Sequence, residues 1–158
     1  NRVVNILVEK GYRKDIVEAV VAVGFDNIAE TEEKTAILEK VAVAPEFKDL
    51  VMLIKRVRNI SKDYSAGEIS EQLLKEEAEK SLYGFYNELS ESSKTMIAQK
   101  RYEEFFKTIV SGKERINSFF DNIMVMDKDE AVKANRISLL KKLDYLFNEV
   151  AQITKIEE

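Results

Sequence analysis

Apolar residues recur at three- and four-residue intervals along almost the whole chain, the spacing of helices that each bury one face. Val3 to Lys10 is apolar on one side and stops at Gly11, a residue type that accepts the left-handed conformation after a helix. In the next segment Ile16, Val17, Val20, Val21 and Val23 combine helical spacing with β-branched side chains that also suit a strand. Asp15, Glu18, Ala19 and the closing Gly24 favour a helix there. A third helix over Thr31 to Val43 repeats apolar residues at Ala36, Ile37, Val41 and Ala42, behind Glu32 and Glu33, acids suited to the positive end of the helix dipole. Pro45 stands where a first helical turn tolerates proline, and Leu50, Leu53, Ile54, Val57 and Ile60 form the stripe of a fourth helix.

The periodicity breaks at Lys62 to Ser70, where Ser65, Gly67 and Ser70 mark the main internal loop and a candidate hinge near 62–70. It resumes through Leu73, Leu74, Ala78, Leu82, Phe85, Tyr86 and Leu89, and again through Met96, Ile97, Tyr102, Phe105, Phe106, Ile109 and Val110, enough for at least two helices. Ser111 and Glu114 have the spacing of a capping box, in which two side chains satisfy otherwise unpaired N–H groups, and predict a short helix through Phe119 and Phe120. Asp127 and Glu130 repeat that spacing before the longest stripe, Val132, Leu139, Leu140, Leu143, Leu146, Phe147 and Val150, which predicts a central last helix. The expected architecture is one all-α domain over residues 1–158, a bundle of about seven to nine helices.

Composition agrees and narrows the chemistry. Five glycines and one proline in 158 residues give too little punctuation for a strand-and-turn fold. The chain has no cysteine and no histidine, which removes disulfides, thiolate nucleophiles, the usual zinc ligands and the commonest general base. Carboxylates are abundant, but residues such as Glu76, Glu77 and Glu79 read as solvated helix charge rather than a catalytic pair. No glycine-rich phosphate loop is present. No metal or cofactor is expected in this chain, and no catalytic residue. The lack of cysteine, of a spanning apolar run and of a secretory leader points to the cytoplasm. The start at Asn1, already inside an amphipathic pattern, suggests a piece of something longer. A net charge of −4 argues against indiscriminate coating of nucleic acid, so any RNA contact has to be local.

Candidate contacts concentrate on the fourth helix. Lys48, Lys55 and Lys62 recur every seven residues, with Arg56 and Asn59 beside them and Arg58 in the same run, a ridge able to clamp phosphates; an ordinary solvated face has the same pattern. Lys94, Lys100, Arg101 and Lys107 offer a second basic patch. Arg136 lies four residues after Val132 and three before Leu139, so it points toward the buried stripe and needs a carboxylate or carbonyl partner, with Asp121 the candidate; presentation to RNA is the alternative. Phe119 and Phe120 suit the core first, and an unstacked base second. The connection Ile123 to Met126 reads as a buried joint.

The run Ile116-Asn117-Ser118-Phe119-Phe120-Asp121-Asn122-Ile123-Met124-Val125-Met126 resembles the "PVDAFFDxVMVM" signature of bacterial glycyl-tRNA synthetase beta subunits, departing from it at Arg115 and Asn117, where the family has proline and aspartate. Asn135-Arg136-Ile137-Ser138-Leu139-Leu140 resembles the "NRLALL" that follows, Lys55 to Ile60 the family's "KRVxNI", and the stretch from Gly11 its "GYRYDVVEAVL". The resemblance implies a C-terminal anticodon-binding domain of the DALR type shared with arginyl-tRNA synthetases. It implies glycine tRNA as partner, an alpha subunit that uses ATP and glycine in the full-length tetramer, and no membrane association. On that footing Lys55, Arg56, Arg58, Asn59, Lys62 and Asn135 are the expected tRNA contacts. A domain for alpha/beta subunit assembly and the equivalent domain of an arginyl enzyme are the competing readings; the segment from Phe119 to Met126 favours glycine.

Overall fold

A computed structural model describes residues 1–25 and 27–157. Among them are eight α-helices and two short 3-10 turns: α1 (Arg2–Glu9), α2 (Lys14–Ala22), α3 (Ile28–Ala42), α4 (Pro45–Ser61), a 3-10 turn (Glu71–Leu73), α5 (Glu77–Ala98), α6 (Tyr102–Val110), α7 (Lys113–Asn122), α8 (Glu130–Phe147) and a final 3-10 turn (Ile153–Lys155). The punctuation works as its chemistry requires. Gly11 and Gly24 take φ of 106° and 147°, Pro45 opens α4, and Asn1 and Asn27 cap α1 and α3 by accepting from the N–H groups of Val3 and Glu30, each at 2.8 Å.

α8 is the spine. α4 and α5 pack along it, α6 and α7 pack on α5, and α3 bridges α2 and α6. Phe47, Phe105, Phe106, Phe119 and Phe147 are fully buried in one core, where Phe106 meets Phe47 and Phe105 edge-on at 6.3 and 5.5 Å between centroids. Outside it, α1 adds a small second cluster, Val4 and Leu7 against Val17. After α8 the tail returns to α2: the Gln152 N–H donates to the Ala19 carbonyl at 2.8 Å, and Ile153 and Ile156 are buried.

Several local expectations shift. In α3 the buried positions are Thr31, Thr35, Leu38 and Ala42, while Ala36 is exposed and Ile37 and Val41 are only partly covered. Each threonine hydroxyl donates to the carbonyl four residues back, Thr31 to Asn27 at 3.0 Å and Thr35 to Thr31 at 2.7 Å, so the side chain enters the core with its polar group satisfied. The expected capping box at Ser111 and Glu114 does not form. Ser111 ends α6, its hydroxyl donating backward to the Thr108 carbonyl, and Gly112 precedes α7. A Cβ on Gly112 would run into the buried ring of Phe85, so this is a close-approach glycine. The cap of α8 lies two residues beyond Asp127, at Asp129, whose carboxylate accepts from the N–H groups of Ala131 and Val132. The joint Ile123 to Met126 is buried only at alternate positions: Ile123 and Val125 point in, Met124 and Met126 out.

Glu79 is the largest departure. It is almost completely buried, and its carboxylate takes the Arg136 guanidinium in a fork, Nε to Oε2 at 3.0 Å and Nη2 to Oε1 at 3.3 Å. Arg136 also donates to the Met124 carbonyl at 2.6 Å and to Asp127 at 3.4 Å. The expected partner, Asp121, is exposed on α7 and takes no part. The long side chain is free to lean toward the N-terminal end of α8, and its guanidinium meets Glu79 in the first turn of α5.

Candidate nucleic-acid interface

The two arginines of α4 do not share one surface. Arg56 and Arg58 project about 160° apart, two residues being ~200° of helix rotation. Arg56 is exposed and lies over the Phe120 ring, its guanidinium carbon 4.1 Å from the centroid. Asn59 and Lys62 are exposed, and Lys55 is half-buried. Arg58 turns inward to α8 and the tail, donating to Asp144 at 3.1 Å and to the Thr154 hydroxyl at 3.3 Å. Phe119 is fully buried, edge-on to Phe120 at 5.8 Å, and Phe120 is covered on its outer side by Arg56. Both rings are core.

Asn135, expected among the tRNA contacts, is instead a buried staple. Its side-chain oxygen accepts the Ser70 N–H at 2.7 Å and its amide donates to the Ser70 carbonyl at 3.1 Å, while Ser138 accepts the Gly67 N–H at 2.9 Å. The loop before α5 is thereby tied down onto α8. Arg136 likewise faces inward and serves structure. The second basic patch divides: Arg101 pairs with Glu104 at 2.9 Å, Lys107 borders an apolar hollow on α6, and Lys94 faces a separate groove.

That groove, of about 890 Å³, runs between α5 and the C-terminal half of α8. Lys94 and Tyr86 come from α5; Lys141, Lys142 and Tyr145 come from α8. The α8 residues occupy adjoining positions on one helix side, being three and four residues apart. Tyr145 is 74% exposed at the lip. Tyr86 is held against Tyr83, their rings stacked at 6.2 Å and 22°. Lys141 reaches across to the Ser61 and Lys62 carbonyls, at 3.1 and 3.4 Å, and so closes the C-terminal end of α4, where a cation suits the dipole. Of the two groove carboxylates, Asp144 is occupied by Arg58 and by the Asn148 amide at 3.0 Å. Burial pushes the Glu149 carboxyl above the usual range, with Lys94 opposing.

Sequence reasoning singled out Lys94 and Arg58 but passed over Lys141, Lys142, Tyr145 and the groove side of Tyr86. The apolar stripe of α8 explains this, since its strength draws attention from the opposite side of the helix. The local signal was the Lys141-Lys142 pair followed at helical spacing by Tyr145.

Comparison with known proteins places these features in a family. The sequence profile of the DALR anticodon binding domain matches residues 50–158, which include every groove residue named above. The chain is 35% identical over 155 residues to the glycine–tRNA ligase beta subunit of Desulforamulus reducens, covering 98% of this chain and 22% of that protein. It is 34% identical over 155 residues to the beta subunit of Geotalea daltonii, again 98% of this chain and 22% of the relative. With the beta subunit of Neisseria gonorrhoeae it shares 35% over 158 residues, 97% of this chain and 23% of the relative. The chain thus spans less than a quarter of the length of these relatives.

Proposed function

The chain belongs to the DALR anticodon-binding domain family, and from that premise we propose that it is the tRNA-gripping module of a glycine–tRNA ligase beta subunit. It holds the anticodon arm of a glycine tRNA so that the acceptor end reaches the catalytic centre. ATP and glycine are used by the alpha subunit, in the cytoplasm, and this chain adds no cofactor or catalytic group. The single observation that carries the reading is the family match over residues 50–158, which takes in α4 from Leu50 onward, the α5 and α8 walls of the basic groove and all of α8. Local positive charge on a chain of net charge −4 supports it, because phosphate recognition needs clustered cations rather than a basic protein.

Direct binding tests this. The chain is titrated with a glycine tRNA transcript and with the same transcript carrying another anticodon. Preferential, salt-sensitive binding of the first supports the reading; equal, weak binding of both overturns it. A second reading, a domain for alpha/beta subunit assembly, draws on the apolar hollow of about 380 Å³ floored by Phe47 and Phe106, with Val43 exposed nearby. Capture of purified alpha subunit by this chain, without tRNA preference, favours it.

A further inference from the structure

We infer that the groove between α5 and α8, rather than the outer face of α4, is where this domain takes an unpaired RNA nucleotide, with the base against Tyr145 and Tyr86 and the phosphates on Lys94 and Lys142. The inference rests on the tRNA-gripping reading above and says which surface does the gripping.

Charge supports it first. Lys94, Lys141 and Lys142 converge there, Asp144 is neutralised by Arg58, and Glu149 is the one carboxylate in the groove left without an ion pair among the described residues. Among the described residues neither Lys94 nor Lys142 makes a hydrogen bond or close ion pair; Lys94 feels the Glu149 carboxylate in the groove, and Lys142 is the cation left most open to a ligand. On α4, by contrast, Arg58 is consumed by Asp144 and Thr154, and Arg56 is spread over Phe120.

Shape and aromatic placement argue next. An open trough of about 890 Å³ is within the ~300–1,000 Å³ typical of small-ligand sites, and suits a splayed-out nucleotide better than the broad, regular backbone of a duplex. Tyr145 presents most of its ring to solvent at the lip, and the hydroxyls of both tyrosines have no hydrogen-bond partner among the described residues. Tyr86 cannot swing freely because Tyr83 stacks against it. An exposed ring on one wall and a stacked ring on the other, with lysines among the same lining residues, match what sequence-tolerant single-strand binding uses: bases stack on aromatic faces while cations track the backbone. An acidic protein segment would satisfy the lysines but leave the exposed ring without its most suitable ligand.

The test uses the intact chain, a fluorescent anticodon stem-loop of glycine tRNA, and a hairpin of the same stem closed by a tight tetraloop. Tyr145→Ala is expected to weaken stem-loop binding about 5- to 150-fold, the range for loss of one stacked base, while Tyr145→Phe binds like the parent. The tetraloop hairpin should bind weakly and be indifferent to either change. Lys94→Ala with Lys142→Ala is expected to make the dependence of log K on log salt shallower by about 1.5, whereas Tyr145→Ala leaves that slope alone. Tyr145 is exposed, so its variants keep the fold. If the parent binds the stem-loop and Tyr145→Ala binds equally well, or if binding is lost only in Arg56→Ala, the groove is not the site although the domain remains an RNA binder. If the parent binds neither RNA, both readings fall.

Discussion

Replacing Glu79 with alanine removes the carboxylate from Arg136, a residue only 9% exposed, and leaves its guanidinium with the Met124 carbonyl and the longer contact to Asp127. Breaking one side of a buried ion pair costs about 3–5 kcal/mol, because the remaining charge has no solvent to return to. Against a total stability of about 5–15 kcal/mol for an ordinary domain this is a large fraction. At ~2–4 °C per kcal/mol for a chain of this size, the melting temperature should fall by about 6–20 °C. The same substitution also removes the acceptor for the Glu76 N–H at the start of α5, so fraying there adds to the loss. Thermal and urea melts followed by circular dichroism give the number. The double variant Glu79→Leu, Arg136→Met replaces both charges with apolar volume and should recover most of the loss, since a buried pair exchanged whole is often nearly neutral. A Glu79→Ala protein within about 1 kcal/mol of the parent would show that the buried pair does not hold α5 to α8. Because the pair lies away from the groove, RNA affinity per folded molecule should stay unchanged.

Asn135→Ala removes both bonds to Ser70 and should cost about 1–3 kcal/mol, with faster hydrogen exchange at the Ser70 amide and no selective loss of RNA binding. Gly112→Ala forces a methyl group into the Phe85 ring and should cost about 1–3 kcal/mol in urea unfolding, unlike an alanine placed at Gly67, whose nearest neighbour leaves room. Glu149→Gln should stabilise the fold at neutral pH. Burial raises this carboxyl in the folded chain, so its favourable protonated state is fully present below the ordinary glutamate range and is lost as pH rises through the raised value. The gain, read from melts at neutral and acid pH, should therefore vanish below about pH 4. Removing the groove's unpaired carboxylate should also tighten RNA binding.

Much of this fold is written in local signals that act over one or two turns. Gly11, Gly24 and Pro45 punctuate the helices because their backbone preferences need no tertiary help, and the stripe of α8 is strong enough to identify the spine. What the chain hides depends on partners far away in sequence. Thr31 and Thr35 look polar until their hydroxyls bond back along their own helix. Glu79 sits among Glu76, Glu77 and Lys80 as if in a solvated run, and only the arrival of Arg136, 57 residues later, explains its burial. The Lys48, Lys55 and Lys62 repeat suggested a ridge, yet Arg58 and Asn135 are drawn into internal bonds that the spacing does not announce. The groove could not be read as a motif at all, since its two walls, Tyr86 and Lys94 on one side and Lys141 to Tyr145 on the other, meet only when α5 lies along α8.

Amide chemical shifts of the isotope-labelled chain, followed during titration with the anticodon stem-loop of glycine tRNA, would locate the RNA on the domain residue by residue. Saturable shifts clustered at Tyr86 to Lys94 and Lys141 to Glu149, absent with a tetraloop hairpin of the same stem, are the predicted result. Shifts confined to the outer face of α4, or to the hollow beside Phe47 and Phe106, or identical for both RNAs, would contradict it.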